Sequence, residues 1–222
     1  MTESRAWNWK EENDQIWLEP SEESHYLAAR WKSCGYKDLL DFGCGLGRNS
    51  IFFSKQGFDV SAFDLSADGI AHLKDWADRE NENIDAIIAD MLDLPYSNNS
   101  FDCLFAYHVV SHTDTDGVGK ILDEAKRVTK PQGEVFITLC SKETWSFSGA
   151  GYPKIDENTV RKTDDGPEKD IPHFYVNLDD LIELFSSRNM ELLRVRHTDE
   201  CVLDGKKKNS KHYFILAKNL EA

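Results

Sequence analysis

The sequence predicts an α/β fold, a doubly wound, largely parallel sheet with helices on both faces. Three observations carry that reading. Apolar strand-like segments alternate with amphipathic helical ones; three successive strands run into an aspartate, at Asp41, Asp64 and Asp90; and the run Leu39–Asn49 closes a strand, turns on alternate glycines and opens a helix. A chain of 222 residues fits one such domain with a full core, whereas two independent domains would be cramped.

The elements follow in order. Pro20-Ser21-Glu22-Glu23 reads as a helix start with acids in its first turn, and the helix should run to about Ser33, with Gly35 ending it. Lys37–Phe42 forms the first strand. The helix from Arg48 sets Ile51, Phe52 and Lys55 at helical spacing and stops at Gly57, and Phe58–Phe63 is the second strand, ending at Asp64. Ser66 caps a helix through Ile70, Leu73 and Ala77, and Ile84–Ala89 is the third strand, ending at Asp90. Phe101–Tyr107 is the fourth. A helix with Val118, Ile121, Leu122, Ala125 and Val128 on one face then turns at Pro131-Gln132-Gly133 into a fifth strand, Glu134–Leu139. Asn177-Leu178-Asp179-Asp180 opens a helix whose Leu181, Ile182, Leu184 and Phe185 should face the core. Strands near Glu191–Thr198 and Tyr213–Ala217, joined by a turn at Asp204-Gly205, complete seven, with an antiparallel hairpin at the end. Lys206-Lys207-Lys208 reads as the solvated tip of that hairpin.

The glycine run narrows the ligand. Alternate glycines let the backbone turn sharply and approach a ligand without Cβ clashes, and the helix that follows presents free N–H groups. A dinucleotide fingerprint reads G-x-G-x-x-G; here the third glycine, Gly47, comes one residue early, and Arg48 stands where that fingerprint takes glycine or alanine. Asp41, two residues before Gly43, would repel a pyrophosphate but attract a nucleoside cofactor that carries positive charge.

D-x-G-x-G-x-G after an apolar strand resembles the first motif of the class I S-adenosylmethionine-dependent methyltransferases, of the small-molecule, methyltransferase type 11/25-like kind. The likeness covers the order of elements from Asp38 to Lys218 and is specific from Leu39 to Leu139. It implies a Rossmann-like seven-stranded sheet in the order 3-2-1-4-5-7-6, the last strand antiparallel, and S-adenosylmethionine as cofactor, leaving as S-adenosylhomocysteine. It also implies cofactor contacts from Asp41, Gly43, Cys44, Gly45, Gly47 and Asn49 of the turn, from Asp64 and Leu65, from Asp90 and Met91, and from Tyr107. Asp64 is placed to take both ribose hydroxyls, Leu65 to cover the adenine face, and Asp90-Met91 to meet the adenine amino group and ring. A structural role stands beside each acid, since Asp64 and Asp90 could instead accept backbone N–H groups at loop starts.

The acceptor side is drawn more loosely. Ser141–Val176 is long, rich in glycine and proline, and leaves the carboxyl end of the fifth strand, where open α/β sheets hold their ligands; it reads as a substrate lid, or else as a surface insertion packed by its own aromatics. Trp17, Tyr107, His112, Trp145, Tyr152 and Tyr175 are the candidate acceptor contacts, and His108 and His173 the candidate acid–base groups. His173 has a second reading as a loop histidine bonded to backbone. His108 and His112, spaced i, i+4, could share a face as metal ligands, but no acid stands at a convincing third-ligand spacing, so no metal is expected. Trp7, Trp9 and Trp17 read as a second lid or as a hydrophobic clasp onto the core.

One domain over 1–222 is therefore expected. It comprises an N-terminal helical lid or clasp (1–36), a cofactor-binding half (37–140), a lid insertion (141–176) and a C-terminal helix with hairpin (177–222). A formal charge of −14 disfavours nucleic-acid backbones and anionic membrane surfaces. No apolar stretch approaches a membrane span, Met1–Arg5 lacks a signal peptide's apolar core, and the five cysteines are scattered with no C-x-x-C pair. Cys44 and Cys140 read as small buried hydrophobes rather than catalytic thiols. The expected protein is a cytoplasmic monomer or homodimer that methylates a small molecule. Competing readings are a cofactor-binding sensor or accessory protein without transfer, an RNA- or protein-directed methyltransferase, which would need a basic or grooved face, and an NAD-dependent oxidoreductase, which would need Asp41 tolerated beside a pyrophosphate.

Overall fold

The computed structural model describes residues 2, 6, 7, 9, 15–166, 168–203 and 207–220. The strands are β1 (Asp38–Phe42), β2 (Asp59–Asp64), β3 (Ile84–Ile88), β4 (Phe101–Ala106), β5 (Thr129–Ser141), β6 (Thr159–Arg161), β7 (Pro172–Val176), β8 (Met190–Leu203) and β9 (Lys207–Asn219). The helices are α1 (Glu22–Ser33), α2 (Arg48–Lys55), α3 (Ala67–Glu80), α4 (Thr115–Val128), α5 (Trp145–Ser148) and α6 (Leu178–Ser186), preceded by a 3-10 turn at Gln15–Leu18.

The main sheet runs β3-β2-β1-β4-β5-β9-β8. Its first five strands are parallel, and β9 lies antiparallel between β5 and β8. With β8 and β9 as the sixth and seventh expected strands, this is the expected order and sense. Adjacent residues of the central strands feed opposite faces, as a two-residue period requires. Leu40, Phe42, Leu104 and Ile137 pack with Val118, Ile121 and Leu122 of α4 and Leu181 and Phe185 of α6, while Leu39, Phe105 and Phe136 pack with Leu27 and Trp31 of α1 and Phe53 of α2. Ile70, Leu73 and Ala77 of α3 close over Ala62 of β2 and Ala86 of β3.

The caps are legible in the sequence. The Ser66 hydroxyl accepts the Gly69 N–H, and Asn177 with Asp180 forms a capping box at α6. Ser21 stands at the N-cap of α1 without capping it, because its N–H and hydroxyl both donate to Asn49 Oδ1 at 3.0 Å and so tie α1 to the start of α2. Arg30 and Trp31 of α1 also reach into the sheet. The guanidinium grips the Glu134 carboxylate of β5 at 2.8 and 2.7 Å, the indole N–H donates to it at 3.0 Å, and Glu134 is 1% exposed. That grip raises the Arg30 pKa.

Three details differ from the expectations. The turn at Pro131-Gln132-Gly133 lies within β5, as a bulge between the pairings Phe101↔Thr129 and Cys103↔Glu134, with Gln132 at φ 65. Ile182 faces outward at 45% exposure, since the core-facing stripe of α6 is carried by Leu181 and Phe185. The 141–176 segment is not structureless: it holds α5, β6 and β7, and β7 pairs in parallel with the tip of β5 through Cys140↔Tyr175 and Ser141↔Val176. β6 then runs antiparallel to β7. The strand character of Pro172–Val176 was hidden because four of its five residues are buried, so no alternation shows. The turn expected at Asp204-Gly205 and the Lys206 tip lie outside the described residues. Among the described residues, no helix is long and apolar enough to cross a membrane.

Candidate active site

The glycine turn sits between the end of β1 and α2 with Gly43, Gly45 and Gly47 at φ 68, 55 and 94, conformations that side chains disfavour. All three positions are also closed by packing, and a Cβ on Gly43 would lie 2.4 Å from Val109 Cγ2. A Cβ on Gly47 would lie 2.4 Å from Leu73 Cδ1, where α3 presses on the turn, and a Cβ on Gly45 would lie 2.5 Å from the Trp9 ring. The Cys44 N–H donates to the Phe63 carbonyl at 2.9 Å, and His72 Nδ1 lies 2.9 Å from the Leu46 carbonyl oxygen. Asp64, at the end of β2, accepts the Gly45 N–H at 2.9 Å and the Ser66 N–H at 2.8 Å. Burial raises its pKa, and each carboxylate oxygen keeps a further lone pair for a ligand.

Asp41 lies beneath this turn rather than on the rim. It is 2% exposed and accepts the Ser50 hydroxyl. Burial lifts its pKa to about 7, against the Ser50 hydrogen bond and the Arg48 charge, while the nearby Asp64 charge adds to the rise. Arg48 lies 5.2 Å from the Trp17 ring centroid and 5.6 Å from that of Tyr107, and donates to the Ile16 carbonyl at 2.6 Å.

A cavity of about 360 Å³ runs from this turn across the carboxyl ends of the central strands to the 141–176 segment. Gly43, Cys44, Gly45, Asn49, Asp64, Tyr107, His108, His112, His173, Trp17 and Tyr175 of the expected site residues line it. Gly47 and Asp41 support it from below. Leu65 follows Asp64 on the β2 rim; Asp90 accepts the Leu92 N–H at 2.9 Å, and Met91 packs against the core, so these three flank the cavity without lining it. Trp145 and Tyr152 pack on each other, ring centroids 6.3 Å apart, outside its wall. Cys44 lines it as a thiol that burial holds well above the usual range, an inert form.

The far half holds four histidines. His108 adopts the left-handed region at φ 54, fixed by its N–H donating to Thr138 Oγ1 at 2.6 Å, and its ring meets that of His212 at 4.5 Å. His112 stacks on Trp7 at 5.7 Å and meets the His173 ring at 4.9 Å. Desolvation by the surrounding walls, reinforced by neighbouring histidines, pushes His108 and His112 down to about 3, and desolvation with the Lys162 charge pushes His212 to about 4. These three rings are neutral at pH 7. Glu168 is the acid among them. Burial pushes its pKa up, but His173, Lys162 and His112 together outweigh that and hold it well below the usual carboxylate range. Its Lys162 partner sits on Oε2.

Glu168, Lys162, His212, Thr138 and Ser111 were not singled out in the sequence. They come from separate segments and meet only through the β5–β7 and β5–β9 pairings, so no local spacing marks them.

Residues 39–133 match the family described as "methyltransferase domain". That stretch, somewhat under half of the chain, is similar to the methyltransferase domain. A probable S-adenosyl-L-methionine-dependent methyltransferase, TehB of Haemophilus influenzae, is 32% identical over 95 residues, 43% of this chain and 33% of that protein. The malonyl-[acyl-carrier protein] O-methyltransferase of Pectobacterium atrosepticum is 33% identical over 120 residues, 53% of this chain and 44% of that one. The chain thus spans less than half the length of these curated relatives. A crystal structure of a SAM-dependent methyltransferase from Methanosarcina mazei superposes with a TM-score of 0.68 at 17% identity, covering 84% of this chain and 94% of that one, which shows the shared fold. The matched stretch carries the glycine turn and the three strand-end acids. The 141–176 segment, with Lys162, Glu168 and His173, lies beyond it.

Proposed function

We propose that this chain is a methyltransferase that binds S-adenosylmethionine over the glycine turn and passes its methyl group by in-line displacement to a small-molecule acceptor held against the 141–176 segment. The observation that carries this is the continuity of one cavity from the glycine turn and Asp64 to a cluster of neutral histidines. The residues fit the cofactor. Cβ-free backbone permits close approach, Asp64 offers lone pairs to ribose hydroxyls, and the buried Asp41 supplies negative potential for a cationic ligand. Leu65, Asp90 and Met91 flank the place for the base.

The cofactor supplies an electrophilic methyl group; the protein aligns an acceptor with it and excludes water. Tyr107 and His108, on the turn after β4, stand between the two halves. A neutral His108 can take a proton from an acceptor hydroxyl or ammonium, but at a pKa near 3 it is a weak base, effective only in concert with methyl transfer. His173 offers less: its Nδ1 lies 3.0 Å from the Ile171 carbonyl oxygen and its Nε2 faces Glu168, so both ring nitrogens are turned to protein groups. The net charge of −14 favours a small acceptor over a polynucleotide.

Asp64→Ala is expected to weaken S-adenosylhomocysteine binding by about 1.5–3 kcal/mol in calorimetry, the worth of hydrogen bonds to a charged group. Unchanged affinity would remove Asp64 from the ribose site. Tight binding of NADH with none of S-adenosylhomocysteine would overturn the cofactor assignment. A panel of small hydroxyl, amine and thiol compounds incubated with methyl-labelled S-adenosylmethionine, read as labelled product, tests the transfer itself.

A further inference from the structure

We propose that His112, Glu168 and His173 form a site for a divalent first-row transition metal in the acceptor half of the cavity, with an open position for the acceptor's heteroatom. The three residues come from the turn after β4, the loop before β7 and β7 itself, and their ligand atoms lie within 4.8 Å of one another. His173 Nε2 is 3.3 Å and His112 Nε2 is 3.9 Å from Glu168 Oε1. Two ligands at 2.0–2.1 Å from a tetrahedral ion stand about 3.4 Å apart. The first pair is already at that spacing, and the second needs a shift of about half an ångström.

His173 supplies the independent observation. It is 2% exposed, and its Nδ1 lies 3.0 Å from the Ile171 carbonyl oxygen, which only accepts. Nδ1 therefore carries a ring proton, which leaves Nε2 as the ring atom that turns to Glu168. That buried Nε2 makes no hydrogen bond, yet it faces a carboxylate oxygen. An imidazole nitrogen and a carboxylate oxygen 3.3 Å apart need a cation between them, either a proton on Nε2 or a metal ion, and the convergence of His112 on the same oxygen is what favours the ion. A backbone carbonyl on the far nitrogen is also how metal-bound imidazoles are commonly held in orientation and tautomer. Lys162 occupies Oε2 of Glu168, which leaves Oε1 for the ion and fixes the carboxylate as a one-oxygen ligand. Two imidazoles and one carboxylate suit Zn²⁺ or Fe²⁺ better than Mg²⁺ or Ca²⁺. Three protein ligands beside a cavity leave room for a substrate atom, the pattern of a reactive rather than a structural site.

The site gives the weakly basic cavity another way to activate an acceptor, and this part rests on the methyl-transfer reading. A hydroxyl oxygen bound to the ion releases its proton to solvent at lower pH. The bound oxygen then forms the new O–C bond as the C–S bond breaks, its electron pair returning to sulfur to give the neutral thioether.

The test uses the full chain, stripped with a chelator and titrated with Co²⁺. One equivalent should bind with visible d–d bands of a four- or five-coordinate ion, without a thiolate charge-transfer band from Cys140 or Cys44, and Zn²⁺ should displace it. Glu168→Gln and His112→Gln should each weaken binding at least about tenfold, with S-adenosylhomocysteine affinity retained. A featureless titration, a thiolate band, or affinity equal to wild type in both variants would overturn the site. Failure of wild-type protein to bind S-adenosylhomocysteine would strike the methyl-transfer reading alone, because the Co²⁺ spectrum is recorded without cofactor.

Discussion

Asp41→Asn is expected to stabilise the ligand-free protein at pH 8 by on the order of 4 kcal/mol while weakening its affinity for S-adenosylmethionine. The carboxyl is 2% exposed and burial lifts its pKa to about 7 from an ordinary 3.8. Below the unfolded value both states are protonated. Between that value and about 7 the folded state keeps a proton that the unfolded chain has released, so the stability held by the neutral carboxyl is lost as the pH rises through this window. Asparagine reproduces the neutral form and can still accept the Ser50 hydroxyl. The advantage of the variant should therefore open above about pH 4 and level off above about pH 7. Urea unfolding of both proteins at pH 5 and pH 8 measures it, and parallel pH profiles would contradict it. The cofactor's positive charge should draw Asp41 into its ionised form, so wild-type affinity should rise with pH across neutrality and the variant's should not. The acid is thus held at a cost in stability that a cationic ligand offsets.

Arg30→Ala is expected to destabilise the fold by about 3 kcal/mol, because it strands a buried carboxylate. Glu134 is 1% exposed and depends on the two guanidinium bonds and the Trp31 indole. The Arg30 side chain is 32% exposed, so water entering the gap keeps the loss toward the lower end for broken buried pairs. Arg30→Lys, with charge but no two-pronged fork, should fall between. Thermal or urea midpoints measure the series, and an unchanged midpoint in Arg30→Ala would show that Trp31 and solvent suffice for Glu134.

The sheet was legible because its strands and helices announce themselves by periods of 2 and 3.6, and because Gly43, Gly45 and Gly47 occur where only glycine fits readily. Asp64, at its strand end, lies on the cavity wall. Asp41 lies deeper than the rim: it is a paired residue within β1, opposite Ala62 and Phe105, and its side chain follows the pleat toward α2. The acceptor half resisted reading for a different reason. His112, Glu168, His173 and His212 are gathered by β7 adding to the tip of β5 and by β9 pairing along it, and register is a property of the folded sheet that local spacing does not encode. Trp145 and Tyr152 show the converse, aromatics in the right segment that pack on each other instead.

Trp9 lies against Gly45 and also within 3.2 Å of where a Cβ on Gly69 would be, and its ring stands 5.8 Å from Trp7 and 5.4 Å from Trp17. Three of the protein's six tryptophans therefore crowd the cavity wall as one cluster of rings. A nucleoside that settles on the glycine turn must displace or stack upon the Trp9 indole, so the arrival of a ligand is written directly into the intrinsic emission of the chain. Binding order, off-rates and competition among candidate acceptors become readable in unlabelled protein by stopped-flow fluorescence.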